Sequence, residues 1–121
     1  MSRRITMTLA LLAAIAPCSA VWALKDSAKI TLVQLTTRGK SADSVIERMP
    51  AFFEKAAQFG SDLIVFPEYV LGQRITIEHP RVQKFLALTR KYKMYSIAGM
   101  VEKAGDRWAT TALVVDRDGN L

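Results

Sequence analysis

Glu68 closes the run Asp62-Leu63-Ile64-Val65-Phe66-Pro67-Glu68, and its place in that run is what suits it to chemistry. Four consecutive apolar residues, 63–66, read as a strand buried on both faces, as in a parallel sheet covered by helices. Pro67 then ends the strand, because proline has no N–H to give to a central ladder. A carboxylate follows at the carboxyl end of a buried strand, where open α/β sheets place their ligand sites. Half-withdrawn from water there, it would keep its proton to a higher pH than usual and act as a base near neutrality. The plainer reading is a solvated Glu just past a strand, and local sequence by itself favours it.

Other side chains carry weaker signals. Tyr69 follows the candidate base directly and is a candidate to line a substrate pocket, since residues beside a strand-end catalytic group often do. His79, the one histidine, lies between Glu78 and Pro80 and reads as a helix-entry loop residue before a catalytic one. Tyr92 and Tyr95 read as core or rim aromatics, and Trp108 as strand packing. Asp116 and Asp118 pair as carboxylates, but Asp-Arg-Asp-Gly at 116–119 is a turn signal and lacks the further ligands of a calcium loop.

The elements that must position Glu68 follow from periodicity. A first strand is expected over 29–36, then a loop with Gly39, then a helix starting near 41–44. Ser44-Val45-Ile46-Glu47 fits a capping box, with Ser41 or Asp43 as alternative caps. Val45, Met49, Phe52, Phe53, Ala56 and Ala57 define one apolar face. Pro50 should kink or restart that helix, and Gly60 should end it in a left-handed conformation. After the Glu68 strand comes a loop over 69–78. A second helix then starts at Pro80, with Val82, Phe85, Leu86 and Thr89 on its buried face. A third strand over 95–101, a hairpin loop over 102–107, a fourth strand over 108–115 and a turn complete the chain. The order β-α-β-α-β-β predicts an α/β layer with helices covering a sheet and right-handed crossovers.

Composition sets bounds. Arg3 and Arg4 precede an apolar run over 5–16, and small or apolar residues at Cys18-Ser19-Ala20 and Val21-Trp22-Ala23 suit a signal peptidase. Residues 1–23 are expected to be a signal peptide cut after Ala23, with Ala20 the second choice, leaving 24–121 as the domain. Export to a periplasm or the medium follows, without stable membrane insertion. The alternative is an uncleaved membrane anchor, since the uncharged run over 5–24 is just long enough to span a bilayer. Pro17 argues for cleavage, and its position before Cys18 argues against lipid attachment. Losing Arg3 and Arg4 lowers the formal charge of +6 by two. The densest remaining basic cluster, Arg90-Lys91-Tyr92-Lys93, reads as a solvated helix end; no aromatic platform interleaves it, so nucleic acid is not an expected partner. With Cys18 inside the expected signal and a lone histidine, neither a disulfide framework nor an all-protein zinc site is expected.

Taken together, these pieces resemble the N-terminal portion of the nitrilase, or carbon-nitrogen hydrolase, superfamily. The most specific piece is Gly60-Ser61-Asp62-Leu63-Ile64-Val65-Phe66-Pro67-Glu68. Gln34, Ala56-Ala57, Ile97-Ala98-Gly99 and Val115-Asp116-Arg117-Asp118-Gly119 support it in order and spacing. The resemblance implies a partial α-β-β-α sandwich, a small amide or nitrile substrate, no cofactor, and room for a homo-oligomer in a longer form. It also implies a Glu-Lys-Cys triad with Glu68 as general base. The family's lysine and cysteine have no counterpart at matching positions in these 121 residues. The chain is therefore expected to be a fragment, inactive and marginally stable as it stands, with one sheet face and one edge uncovered. Where the family often carries an Asn in the fourth strand, this chain has Thr110 or Thr111. The competing expectation is a small secreted α/β binding module without catalysis.

Overall fold

A computed structural model describes residues 27–36 and 39–121. The expected signal segment and Cys18 lie outside those residues. The elements are β1 (Ile30–Leu32), α1 (Ala42–Ile46), α2 (Met49–Gln58), β2 (Leu63–Val65), α3 (Pro80–Tyr92), β3 (Tyr95–Ala104) and β4 (Arg107–Val115). They form one sheet in the order β1-β2-β3-β4, parallel across the first three strands and antiparallel between β3 and β4. This is the α/β layer expected. No helix among the described residues is long and apolar enough to cross a membrane.

Local chemistry accounts for the helix boundaries. Ser41 is the cap that operates, its Oγ accepting from Ser44 N at 3.1 Å. Pro50 restarts the helix, which breaks into α1 and α2, with the proline in the first turn of α2 where its missing N–H is harmless. Gly60 takes φ 66° and its N–H bonds the Ala57 carbonyl, closing α2. His79 caps α3 through Nδ1, which accepts from Arg81 N at 3.2 Å, and Pro80 opens the helix. The buried face of α3 is Val82, Phe85, Leu88 and Thr89, with Leu86 only partly covered and Leu88 in the place expected of it.

Strand order then decides where the core lies. Three parallel strands laid down successively in one direction, joined by right-handed crossovers, put their helices on the same face. Register agrees. Thr31, Ile64, Ser96 and Val115 form one row facing the helices, and Leu32, Val65, Ile97 and Val114 form the row on the opposite, outer face. On the helix side, Phe53 packs against Phe66, Phe85 and Tyr92 at centroid distances of 5.5, 6.0 and 5.6 Å. Among the described residues nothing covers the outer face: Leu32 is 76% exposed, Val114 59% and Ile30 55%. The expectation of a β2 buried on both faces is therefore corrected. Ile64 is fully buried, but Leu63 and Val65 are half-covered, because no layer among the described residues lies on their side. Trp108, read as packing, stands exposed on this outer face with the Arg74 guanidinium 6.0 Å from its ring. Tyr95 is exposed there too, beneath Arg117, while Tyr92 is the partly buried aromatic of the pair.

The last turn is held by one carboxylate. Asp116 accepts from Asp118 N at 2.8 Å, Asn120 N at 2.9 Å and Asn120 Nδ2 at 3.1 Å. Those bonds from Asn120, backbone first, hold its carboxyl below the ordinary 3.8. A depressed carboxyl stabilises the fold above its unfolded value and loses that effect as pH falls through the folded value. Asp116→Asn is therefore expected to lower the melting temperature at neutral pH and to match the parent at about pH 2; equal deficits at both would contradict this. Truncating the core ring, Phe53→Ala, should cost about 3–5 kcal/mol in a urea titration.

Candidate functional site

Glu68 sits where the second strand loses its register. Phe66 N still bonds the Ile97 carbonyl at 2.8 Å, and Leu71 N bonds Gly99 O at 3.1 Å. Regular parallel pairing would use two residues between those carbonyls; the chain uses five. Pro67, with no N–H, begins the extrusion, and Tyr69 takes φ 58°, a left-handed conformation uncommon for an aromatic residue. Pairing to β3 then resumes through Val101 N to Gly72 O, Ile75 N to Val101 O and the Ile75–Glu102 bridge. The stretch expected to be a plain loop over 69–78 is thus partly a continuation of the sheet.

Gly99 is what lets the extruded segment lie down. A Cβ built there would stand 2.9 Å from Glu68 Cα and 3.0 Å from Tyr69 N, both backbone atoms. Gly99 pairs with Ala112 and shares the parity of Ile97 and Val114, so its missing side chain would point to the outer face. The Glu68–Tyr69 backbone therefore rests on the bare side of the sheet. Tyr69 crosses that face to β4, its hydroxyl 3.4 Å from Thr110 Oγ1. Thr110 pairs with Val101 on the outer face, whereas Thr111 pairs with Met100 on the covered one. Of the two threonines, Thr110 is the one on the face that carries Glu68, in contact with Tyr69.

Glu68 itself is exposed, not half-dry. The reason is the bare face: nothing among the described residues is laid over it. Two hollows are lined by its chain neighbours, one by Pro67 and the other by Tyr69. One, of 440 Å3, lies at the carboxyl ends of β1 and β2 and is mostly apolar, lined by Leu32, Val33, Gln34, Leu35, Val65, Phe66 and Pro67. The other, of 270 Å3, is lined by Lys40, Ala42, Tyr69, Val70, Gly72, Gln73 and Arg81. Arg81 braces the extruded segment, with Nη1 donating to Leu71 O at 2.9 Å. His79 serves the helix cap, and the turn at 116–119 lies at the opposite end of the strands. No group of three or more His, Cys, Asp or Glu side chains gathers as metal ligands would among the described residues.

The sequence points to Glu68 and Tyr69 and to Thr110 or Thr111 without choosing between them, but not to the roles of Gly99 and Arg81. Gly99 left a signal, since an isolated Gly in a strand pattern marks close backbone approach. Arg81 left none, because its role arises from a carbonyl that the extrusion turns toward α3.

A family model for carbon-nitrogen hydrolases matches residues 29–121. The chain is 26% identical to Nitrilase 2 of Arabidopsis thaliana over 121 residues, covering 77% of this chain and 36% of that protein. It is 23% identical to a bifunctional nitrilase/nitrile hydratase of Nicotiana tabacum over 120 residues, covering 76% and 34%. Among solved structures, an amidase from Nesterenkonia sp. superposes with TM-score 0.66 at 16% identity, covering 80% of this chain and 41% of that one. A carbon-nitrogen hydrolase from Helicobacter pylori G27 superposes with TM-score 0.59 at 22% identity, covering 75% and 36%. These structural likenesses show a shared fold. The chain spans about a third of the length of the curated relatives it matches.

Gly99→Ala should force the 68–69 backbone off the sheet. Amide exchange at Leu71 is expected to accelerate, and stability to fall by roughly 1–3 kcal/mol; unchanged Leu71 protection would show that the close approach is not needed.

Proposed function

The chain belongs to the carbon-nitrogen hydrolase family, and on that footing we propose that it supplies the general base, Glu68, of an enzyme hydrolysing amide or nitrile C–N bonds other than peptide bonds. The observation that carries the reading is the pinning of Glu68 over Gly99, at the end of β2 and on the face the helices leave free. A carboxylate anchored by its backbone on such a face can be covered by a further layer without moving the strand that bears it. Covered, it would lose water and become a stronger base toward a thiol.

The chemistry then runs as follows for an amide. Glu68 takes the thiol proton of a cysteine, and the thiolate attacks the amide carbon. A lysine ammonium stabilises the resulting oxyanion. The tetrahedral species expels ammonia, which carries away the proton held by Glu68. Water, deprotonated by the same carboxylate, releases the acid from the thioester and restores the thiol. Lysine and cysteine come from polypeptide beyond these 121 residues. Tyr69, spanning to Thr110, lines the substrate side of Glu68. In the same reading the protein is exported: residues 1–23 are a cleaved signal, and N-terminal sequencing of the mature protein should begin at Leu24. A start at Met1 would indicate the membrane-anchored alternative.

The test is Glu68→Gln in the enzyme that holds this chain together with its lysine and cysteine. Amide turnover should drop by roughly 10²–10⁴-fold with the fold retained. The 121-residue chain by itself should give no saturable hydrolysis. A Glu68→Gln enzyme of parental activity would return the chain to the reading of a binding module without catalysis.

A further inference from the structure

Among the described residues no hydrogen bond or ion pair holds the Glu68 carboxylate, so its place is set by the backbone that carries it. That backbone rests on Gly99 on the outer face, yet it is also tied from the helix side.

The tie runs through one peptide unit. Arg81 Nη1 donates to the Leu71 carbonyl at 2.9 Å. The N–H of the same peptide, Gly72 N, donates to the Tyr69 carbonyl at 2.9 Å and closes a turn over 69–72. A planar peptide cannot turn its oxygen without turning its N–H. Arg81 therefore holds the Tyr69 carbonyl through the 71–72 peptide, one residue from Glu68. Leu71 N completes the grip by bonding the carbonyl of Gly99, the residue on which the Glu68 backbone lies. The turn works against a preference. Tyr69 has φ 58°, a conformation that a non-glycine residue keeps only where its surroundings hold it there.

Arg81 is itself held. Its side chain is 18% exposed, and Nε stands 3.3 Å from Asp43 Oδ1 in the first turn of α1. Its guanidinium lies on Gly72, where any Cβ would overlap Nη1. Pro80 and the His79 cap fix the first turn of α3, which carries it. Leu71 is fully buried, and a buried carbonyl left without a donor costs more than the hydrogen bond was worth. Without Arg81 the 71–72 peptide would rotate in search of another donor.

We propose that Arg81 is a positioning residue of the active site: by clamping the 71–72 peptide from the helix side, it fixes the backbone that aims Glu68 on the outer face. The inference rests on the reading of Glu68 as the base. Arg81 stands across the sheet from the substrate, so its loss falls on the chemical step and not on substrate binding. A base displaced by about 1 Å loses about 100-fold in rate.

The test is made in the full enzyme, with ammonia release from propionamide as the readout. Arg81→Met, which keeps an apolar stem and removes every donor, is expected to lower kcat about 10- to 100-fold and to move KM less than about twofold. Arg81→Lys, which can still donate to Leu71 O, should recover kcat to within about fivefold of the parent. In an enzyme already carrying Glu68→Gln, Arg81→Met should cost less than about twofold, because Arg81 acts through that carboxylate. Equal proportional losses in the two backgrounds would show a merely structural role and overturn the inference, as would an Arg81→Met enzyme of parental kcat. If Arg81→Met does not fold, Asp43→Asn takes its place, since that side chain is 76% exposed. A loss of about threefold in kcat, absent when Glu68→Gln is also present, is expected there, and parental kcat overturns the inference. Parental turnover in Glu68→Gln, or no turnover by the parent, would overturn the base assignment itself, and the role of Arg81 with it.

Discussion

A missing side chain holds this structure's candidate site together. Because Gly99 carries no Cβ, the backbone of Glu68 and Tyr69 can rest directly on the sheet, with the Glu68 Cα only 2.9 Å from where any larger residue's Cβ would stand. The other features of the site follow from that contact. Pro67 releases β2 from the ladder, the chain rides over Gly99, and Leu71 returns to bond the Gly99 carbonyl. Arg81 holds the Leu71 carbonyl from the α3 side, and Tyr69 reaches Thr110 from the other. An exposed acidic residue at a strand end is ordinarily free to wander; here its main chain is tied at both ends and pressed flat between.

Among the described residues the same sheet is covered on one side only. Sequential parallel strands with right-handed crossovers collect every helix on one face, and the aromatic cluster of Phe53, Phe66, Phe85 and Tyr92 fills the space beneath. The opposite face carries Ile30, Leu32, Tyr95, Trp108 and Val114, all exposed, which is more apolar surface than a sheet normally leaves to water. Glu68 lies on that side. The site and the bare face are therefore parts of one arrangement: the face that lacks a cover is also the face where the candidate base would need one to become dry. An α-β-β-α architecture lays its second sheet against such a face, which fits a chain matching about a third of its curated relatives' length.

Much of the fold was legible because its signals are local. Gly60 ending α2, Pro80 opening α3, Pro50 restarting the first helix and the 116–119 turn each rest on a residue whose backbone preferences admit few alternatives. The hydrophobic run over 63–66 gave the strand but overstated its burial, since a run of apolar residues cannot say whether a second layer is present in the same chain. The pairing of 71–75 with β3 was hidden because the sequence there, Leu-Gly-Gln-Arg-Ile, has loop composition, and its bonds to β3 depend on the extrusion before it. Glu68 was found from its position; its solvent exposure was not, for the reason that hid the bare face. Arg81 enters the site through a tertiary contact with no trace in its own neighbourhood, and the choice between Thr110 and Thr111 depends on strand register.

The account stands or falls on Glu68 meeting the nucleophile. A crystal structure of the whole enzyme, with its cysteine replaced by serine and an amide bound, measures that directly. The Glu68 carboxylate should lie within about 3.2 Å of the serine oxygen, screened from solvent by a layer over the Leu32, Val65 and Ile97 row. A Glu68 carboxylate still facing bulk water, with the serine and the amide on the opposite side of the sheet, would contradict it.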